Sequence, residues 1–178
     1  MLRFTRYKSR EFILIISLYS VKSKSKRCIS QLQTKVIRKN FHIEYNLHGK
    51  IHRDEREYGN SSNQDGKVLP AFINNDGTRL WYKNGKVHRN ERDEKGRVLP
   101  AIINSYKSQF WTKNGKYHRD DRDENGKTLP AAIYSDGTKE WWMNDKLHRD
   151  DLNEKGRVLP AIIYDNGAKE WYVNGKRC

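Results

Sequence analysis

The sequence predicts an all-β protein: an elongated array of stacked β-hairpins, a meander wound as a ribbon or solenoid, with a basic N-terminal arm. Three observations lead there. Trp81, Trp111, Trp141 and Trp171 recur every thirty residues, and Leu99-Pro100-Ala101, Leu129-Pro130-Ala131 and Leu159-Pro160-Ala161 keep the same period. Asn-Gly pairs at 84–85, 114–115 and 174–175 sit between short apolar-polar stretches, as two-residue hairpins require. No segment carries a 3.6-residue apolar period.

Composition narrows the class further. The 178 residues leave room for one domain or one short array. Only 35% are hydrophobic against 33% charged, and the mean hydropathy is -1.05. The core must be thin, with aromatics (11%) supplying much of the burial. Two Cys cannot make a disulfide framework or a four-Cys zinc site. Cys28 and Cys178 are most simply free thiols, which points to a reducing, intracellular compartment. No apolar run approaches the length of a spanning helix.

Taken in order, the first element is the arm, residues 1–40. It holds eleven Lys/Arg and one acid, whereas residues 41–178 hold twenty-five Lys/Arg and twenty-one acids. Most of the net charge of +14 therefore belongs to the arm. Arg3, Arg6, Lys8 and Arg10 precede a short apolar run, Phe12–Tyr19, and Lys22, Lys24, Lys26 and Arg27 follow it. Such an arm suits anionic lipid, nucleic acid or an acidic partner. The alternative is a solvated arm that only aids solubility. The apolar run reads three ways: a β-strand docking onto the body, an interfacial anchor, or an uncleaved targeting segment. Its β-branched Ile residues favour the strand slightly.

From residue 41 the chain reads as four units plus a half-unit. The first begins at Tyr45, and its spacing to Trp81 is thirty-six residues. The six extra residues belong within Tyr58–Asn63. Each unit carries an Asn-Gly turn, for which a type I′ geometry demands positive φ at both central positions. Asn144-Asp145 replaces it once, so that turn is expected to be strained or of another type. A second turn signal, Asp76-Gly77, Asp136-Gly137 or Asn166-Gly167, precedes three of the four Trp strands. Pro70, Pro100, Pro130 and Pro160 remove a ladder donor and belong at an edge, a strand start or a bulge. One hairpin is barely stable in water, whereas stacked copies bury each other's faces. The tryptophans then form a core ladder; the competing assignment is a row of exposed stacking platforms.

The string W-x-x-N-G-K-x-H-R, then P-A-x-I, then x-D-G-T-K-x-W, resembles the MORN repeat in its variant form, which is common in arrays from bacteria, phages and large DNA viruses. The resemblance covers about residues 44–178. It implies an elongated hairpin ribbon and a non-enzymatic scaffold that binds partners, dimerises or lies near membranes. A virion component is one form of that implication. The chain departs from the family in its long charged link, residues 118–131, about seven residues more than the compact form. That link should protrude as a loop or lengthened hairpin.

Several constellations invite a chemical reading. His-Arg-Asp occurs at 52–54, 118–120 and 148–150, with Asn90 standing for the Asp in one copy. The tripeptide also occurs in protein kinases, but this chain has no glycine-rich phosphate loop and no Asp-Phe-Gly. The expectation is a turn exit where His packs and Arg pairs with acids of the adjacent unit. Asp121, Asp123, Asn125 and Gly126 match half of a calcium loop, yet Ala132 stands where its bidentate Glu belongs. His42, His48 and His52 make a poor metal set. No catalytic residue, metal or cofactor is assigned, and no small-molecule substrate.

The leading expectation is a structural scaffold making protein–protein contacts in a larger assembly. The half-unit Trp171–Cys178 leaves a strand edge that can pair with a second copy, through Trp171, Tyr172 and Val173. The alternative is binding of an anionic membrane surface or nucleic acid through the arm. A second alternative is a carbohydrate-binding module, since Trp-Tyr-x-Asn-Gly looks somewhat like exported cell-wall-binding hairpins. The absence of a clean signal peptide counts against that last reading.

Overall fold

A computed structural model describes residues 12–15, 34–39, 42–47, 49–53, 56–57 and 67–178. The arm residues Arg3, Arg6, Lys8, Arg10, Lys22, Lys24, Lys26 and Arg27 lie outside the described residues, as does the insertion expected at Tyr58–Asn63. Among the described residues the structure is all-β, without helices, and its sheets are antiparallel and unclosed.

One twelve-stranded sheet runs through it. It starts with β1 (Phe12–Ile15), β2 (Thr34–Lys39) and β3 (His42–Leu47). β1 pairs antiparallel with β2 and β2 with β3, so the apolar run Phe12–Tyr19 does supply a strand. The pairing of Thr34–Lys39 with His42–Leu47 also carries the sheet across position 40. Beyond β3 the strands follow chain order without a crossover: Phe72–Asn74, Arg79–Leu80, Ile102–Ile103, Gln109–Phe110, Ala132–Ile133, Lys139–Glu140, Ile162–Ile163 and Lys169–Glu170. The short strand Lys50–Ile51 pairs with β3 off this path.

The register sets two rows across the sheet. One contains Phe72, Leu80, Ile102, Phe110, Ala132, Glu140, Ile162 and Glu170. Side chains alternate between faces, so this row shares one face and its neighbours the other.

Each Trp stands between a strand of this sheet and a separate two-residue hairpin. These hairpins pair Tyr82–Lys83 with Lys86–Val87, Thr112–Lys113 with Lys116–Tyr117, Trp142–Met143 with Lys146–Leu147, and Tyr172–Val173 with Lys176–Arg177. The first Asn of each turn has φ between 51 and 55°, and Gly85, Gly115 and Gly175 have φ of 80 to 85°. Both central residues are thus left-handed, as a type I′ turn needs. Asn144-Asp145 makes the same turn, with φ of 51 and 64°, rather than another type. The Asp145 carboxylate accepts from the Tyr117 amide at 2.7 Å, which offsets part of the backbone cost. Where the other copies have Asp-Gly, Tyr106-Lys107 closes an equivalent turn, and Lys107 carries φ 70°.

The charged link is a third, tight hairpin. Isolated bridges join Arg92 to Val98, Arg122 to Thr128 and Leu152 to Val158. Asp93, Asp123 and Asn153 each fold a side-chain oxygen onto two backbone amides of the turn. The run resembling half a calcium loop is this turn.

The core is narrow. Its most buried apolar residues are Ala71, Ala101, Ala131, Ala132, Ala161 and Ile162 with Trp81, Trp111 and Trp141. Burying one Trp removes about 150–250 Å² from water, a gross gain of roughly 4–6 kcal/mol before entropy is charged against it. Trp171 differs: it is 38% exposed.

Candidate functional site

The His-Arg pairs and their tryptophans form one arrangement that recurs along the sheet. Arg89, Arg119 and Arg149 lie over Trp81, Trp111 and Trp141, with guanidinium carbons 3.9 to 4.0 Å from the ring centroids. Arg53 lies over Tyr45 in the same way, at 3.6 Å. Each of these four arginines donates through Nη1 to a proline carbonyl: Arg53 to Pro70 at 3.1 Å, Arg89 to Pro100 at 3.2 Å, Arg119 to Pro130 at 3.1 Å and Arg149 to Pro160 at 3.2 Å. In the last three copies Nε donates to the carboxylate two residues on: Glu91 at 2.8 Å, Asp121 at 3.3 Å and Asp151 at 3.1 Å. A planar fork that is always charged fits this geometry, because it stacks on the ring and still offers in-plane donors. Burial lowers the affinity of Arg89 and Arg119 for their protons, and the adjacent carboxylates oppose it.

The carboxylates also reach back along the chain. Asp121 accepts from the Val98 amide at 2.9 Å and from Arg92 Nη1 at 3.0 Å. Asp151 accepts from the Thr128 amide at 2.9 Å, from its hydroxyl, and from Arg122 at 3.3 Å. Glu91 accepts from the Val68 amide. Each Trp indole closes the ring of contacts by donating to a carbonyl thirteen residues earlier: Val68, Val98, Thr128 and Val158. The sequence suggests pairing of these arginines with the adjacent unit. The structure instead turns Arg89, Arg119 and Arg149 onto their own Trp and carboxylate, and Arg92 and Arg122 make the longer connections.

The histidines have a separate task. Nδ1 of His52, His88 and His148 accepts the backbone N–H of Asn84, Asn114 and Asn174, at 3.0 to 3.1 Å. An acceptor at Nδ1 places the neutral imidazole's proton on Nε2. His118 lacks this bond, for its Nδ1 has no partner; the facing turn is Asn144-Asp145. Its Nε2 faces Asp120 at 3.4 Å. Burial, with Lys83 and Lys113 nearby, lowers the His88 pKa, and a hydrogen bond with Asn90 works against the shift.

Two features escaped sequence reasoning. Thr78, Ser108 and Thr138 accept through their hydroxyls from the amides of Ser105, Ser135 and Asp165, at 3.1 to 3.3 Å, joining one Asp-Gly-type turn to the next. Their period matches the tryptophans', which was the available signal. The second is an aromatic and acidic face. Phe110 meets Tyr117 and Tyr134 edge-on, with centroids 6.0 and 5.4 Å away, and Tyr117 lies 5.7 Å from Trp142. One Glu140 oxygen accepts both Tyr134 Oη, at 3.0 Å, and Trp142 Nε1, at 2.8 Å. Glu170 accepts from Tyr164 through one oxygen at 3.2 Å and from Tyr172 through the other at 2.8 Å. Partial burial and the Glu140 charge push the Tyr134 hydroxyl well up from its ordinary value, and the Tyr117 hydroxyl in the same direction.

The remaining sequence candidates fall as follows. Trp81, Trp111 and Trp141 are buried, whereas Trp171 is partly exposed. Tyr172 and Val173 pair with Lys176–Arg177 in their own hairpin, so the open edge of the long sheet is Lys169–Glu170. Comparison with family models, curated proteins and solved structures returns no match.

Proposed function

We propose that the chain is a non-enzymatic scaffold of the MORN-like kind, a stack of hairpin units that contacts other proteins through its aromatic and acidic face. The observation that carries this is how the reactive side chains are used. Among the described residues, the buried Arg and Asp groups of the repeat, with His52, His88 and His148, are engaged by backbone carbonyls, backbone amides and rings. Phe110, Tyr117, Tyr134 and Trp142 stay at the surface or half-buried, with Glu140 among them. Aromatics with a polar handle suit protein interfaces.

The test is cross-linking and capture with full-length protein, comparing wild type with Tyr117→Lys and with Trp142→Lys. The scaffold reading expects both variants to lose a captured partner while the far-ultraviolet spectrum is kept. Neutralising Arg3, Arg6, Lys8 and Arg10 tests the anionic-surface alternative. Loss of capture there, with both face variants unaffected, would move the function to the arm. The same face supports the carbohydrate alternative, because rings and carboxylate acceptors lie together. Quenching of Trp fluorescence by glucans or choline, abolished by Trp142→Lys, would favour it. Light scattering of the full chain tests pairing of two copies through Lys169–Glu170 and Trp171.

A further inference from the structure

Between the His88 turn and the His118 turn lies a polar cleft of about 310 Å³, with Trp111 in its wall. The equivalent cleft thirty residues on, between the His118 and His148 turns, holds about 10 Å³. Eight of its wall positions correspond one for one: Arg89, Val98, Trp111, Thr112, Lys113, His118, Arg119 and Asp120 are followed by Arg119, Thr128, Trp141, Trp142, Met143, His148, Arg149 and Asp150. Three of these pairs differ in residue type: Val98, Thr112 and Lys113 stand where the tight cleft has Thr128, Trp142 and Met143. Lys113 is exposed and reaches Asp120 at 3.2 Å, whereas Met143 is half-buried. Asn90 stands where the other copies have Asp54, Asp120 and Asp150.

These substitutions change the electrostatics in one direction. Lys113 adds a cation and Asn90 removes an acid. Four guanidinium or ammonium groups line the cleft against two carboxylates, and both carboxylates already accept from cations of the wall. The Asn114 amide fixes His88 with its proton on Nε2, and that nitrogen shares a hydrogen bond with the Asn90 side chain. In the neighbouring copies the corresponding nitrogen faces an Asp, at 3.4 and 3.6 Å. Arg92 is half-exposed and makes its two bonds, to Asp121 and to the Gly96 carbonyl, through Nη1 alone, which leaves Nε and Nη2 for an incoming oxygen. The cleft is thus a donor-rich hollow of the size that small ligands occupy.

We infer that this cleft binds the phosphate group of a small phosphorylated molecule, held by Asn90, Arg92 and Lys113. Phosphate offers several acceptor oxygens to converging donors, and charge-assisted bonds of this kind are the strong ones. Binding here is separate from the scaffold reading, which concerns the opposite kind of surface and needs no ligand.

The experiment is isothermal titration of the full-length protein with pyrophosphate and with glucose 6-phosphate as probes, at fixed ionic strength. Asn90→Asp restores the residue that the other copies carry, so it folds on their precedent. Lys113→Met copies Met143 in the same way. One saturable site is expected, with affinity falling about tenfold or more in each variant, since the first adds a repelling carboxylate and the second removes an attracting ammonium. Neutralising the four arginines and lysines at 3–10 should leave this site in place. Undiminished binding in both variants would show that the probe sits on the basic arm and would overturn the assignment, as would no saturable binding at millimolar probe.

Discussion

Replacing Arg119 by Met is the sharpest test of how the molecule is held together. The guanidinium is buried, with its side chain 7% exposed, and it makes three interactions at once. The face over Trp111 is worth about 1–2 kcal/mol in a desolvated setting. The Pro130 carbonyl loses its recorded donor, at a cost of about 1–3 kcal/mol. Asp121 loses one partner but keeps Arg92 at 3.0 Å and the Val98 amide at 2.9 Å, so it is not stranded. Met refills most of the volume and recovers about 1 kcal/mol of contact. The expected net loss is about 3 kcal/mol. Urea unfolding followed by Trp fluorescence would show it as a midpoint lower by roughly 1.5 M, taking a slope near ~2 kcal/mol/M. Arg92→Met is the control: that side chain is 55% exposed, and its loss should cost less than about 1 kcal/mol. If Arg119→Met lies within ~1 kcal/mol of wild type, or if Arg92→Met is as costly, the buried clamp is not what joins the turns.

Three further outcomes follow from local geometry. Lys107 holds φ 70° where Gly77, Gly137 and Gly167 stand in the other copies, so Lys107→Gly should raise stability by about 0.5–1 kcal/mol in the same unfolding assay; Gly137→Ala, at φ 100° with open space around the new Cβ, should lower it by about 1–2 kcal/mol. His88 has a folded pKa depressed chiefly by burial, so the unfolded chain binds more protons just below about pH 6.5, and stability should fall as pH drops through that window. An NMR titration should place its pKa below the ordinary value, and His88→Gln should flatten this part of the stability profile. Thr138→Val removes the acceptor of the exposed Asp165 amide, which water can replace in part; a cost of about 0.5–1 kcal/mol is expected, and amide exchange at Asp165 should quicken.

Much of this was visible in the sequence because the period exposes it. Asn-Gly pairs announce left-handed φ, and recurring Trp residues announce burial, for reasons that hold in any all-β chain. The clamp was only half legible. His-Arg could be seen to recur, but the guanidinium's target could not, because a proline carbonyl leaves no mark in composition. Asn144-Asp145 misled for a similar reason: an Asp side chain can satisfy a neighbouring amide and so hold a turn that residue preference disfavours. The aromatic and acidic face was hidden by scatter. Phe110, Tyr117, Tyr134 and Trp142 come from four stretches with different neighbours; Phe110 lies in the long sheet and Tyr117 and Trp142 in separate hairpins, so only the folded chain draws them together.

Most strands beyond β3 are two residues long, and that shortness explains the polar core. A pair of two-residue strands offers few ladder bonds, and alternation alone cannot tell one register from another displaced by two residues. A purely apolar interior of Ala, Ile and Trp would tolerate that slip, since apolar contact is not directional. The clamp does not. A two-residue displacement would take the Arg119 fork off the Pro130 carbonyl, the Trp111 indole off the Val98 carbonyl and the Asp121 carboxylate off the Val98 amide together. Each of those groups is costly to bury alone. The buried polar groups therefore contribute less through what they add to the correct register than through what they subtract from the wrong ones. Their recurrence at Trp81, Trp111 and Trp141 puts such a check at each turn where the sheet itself is too short to supply one.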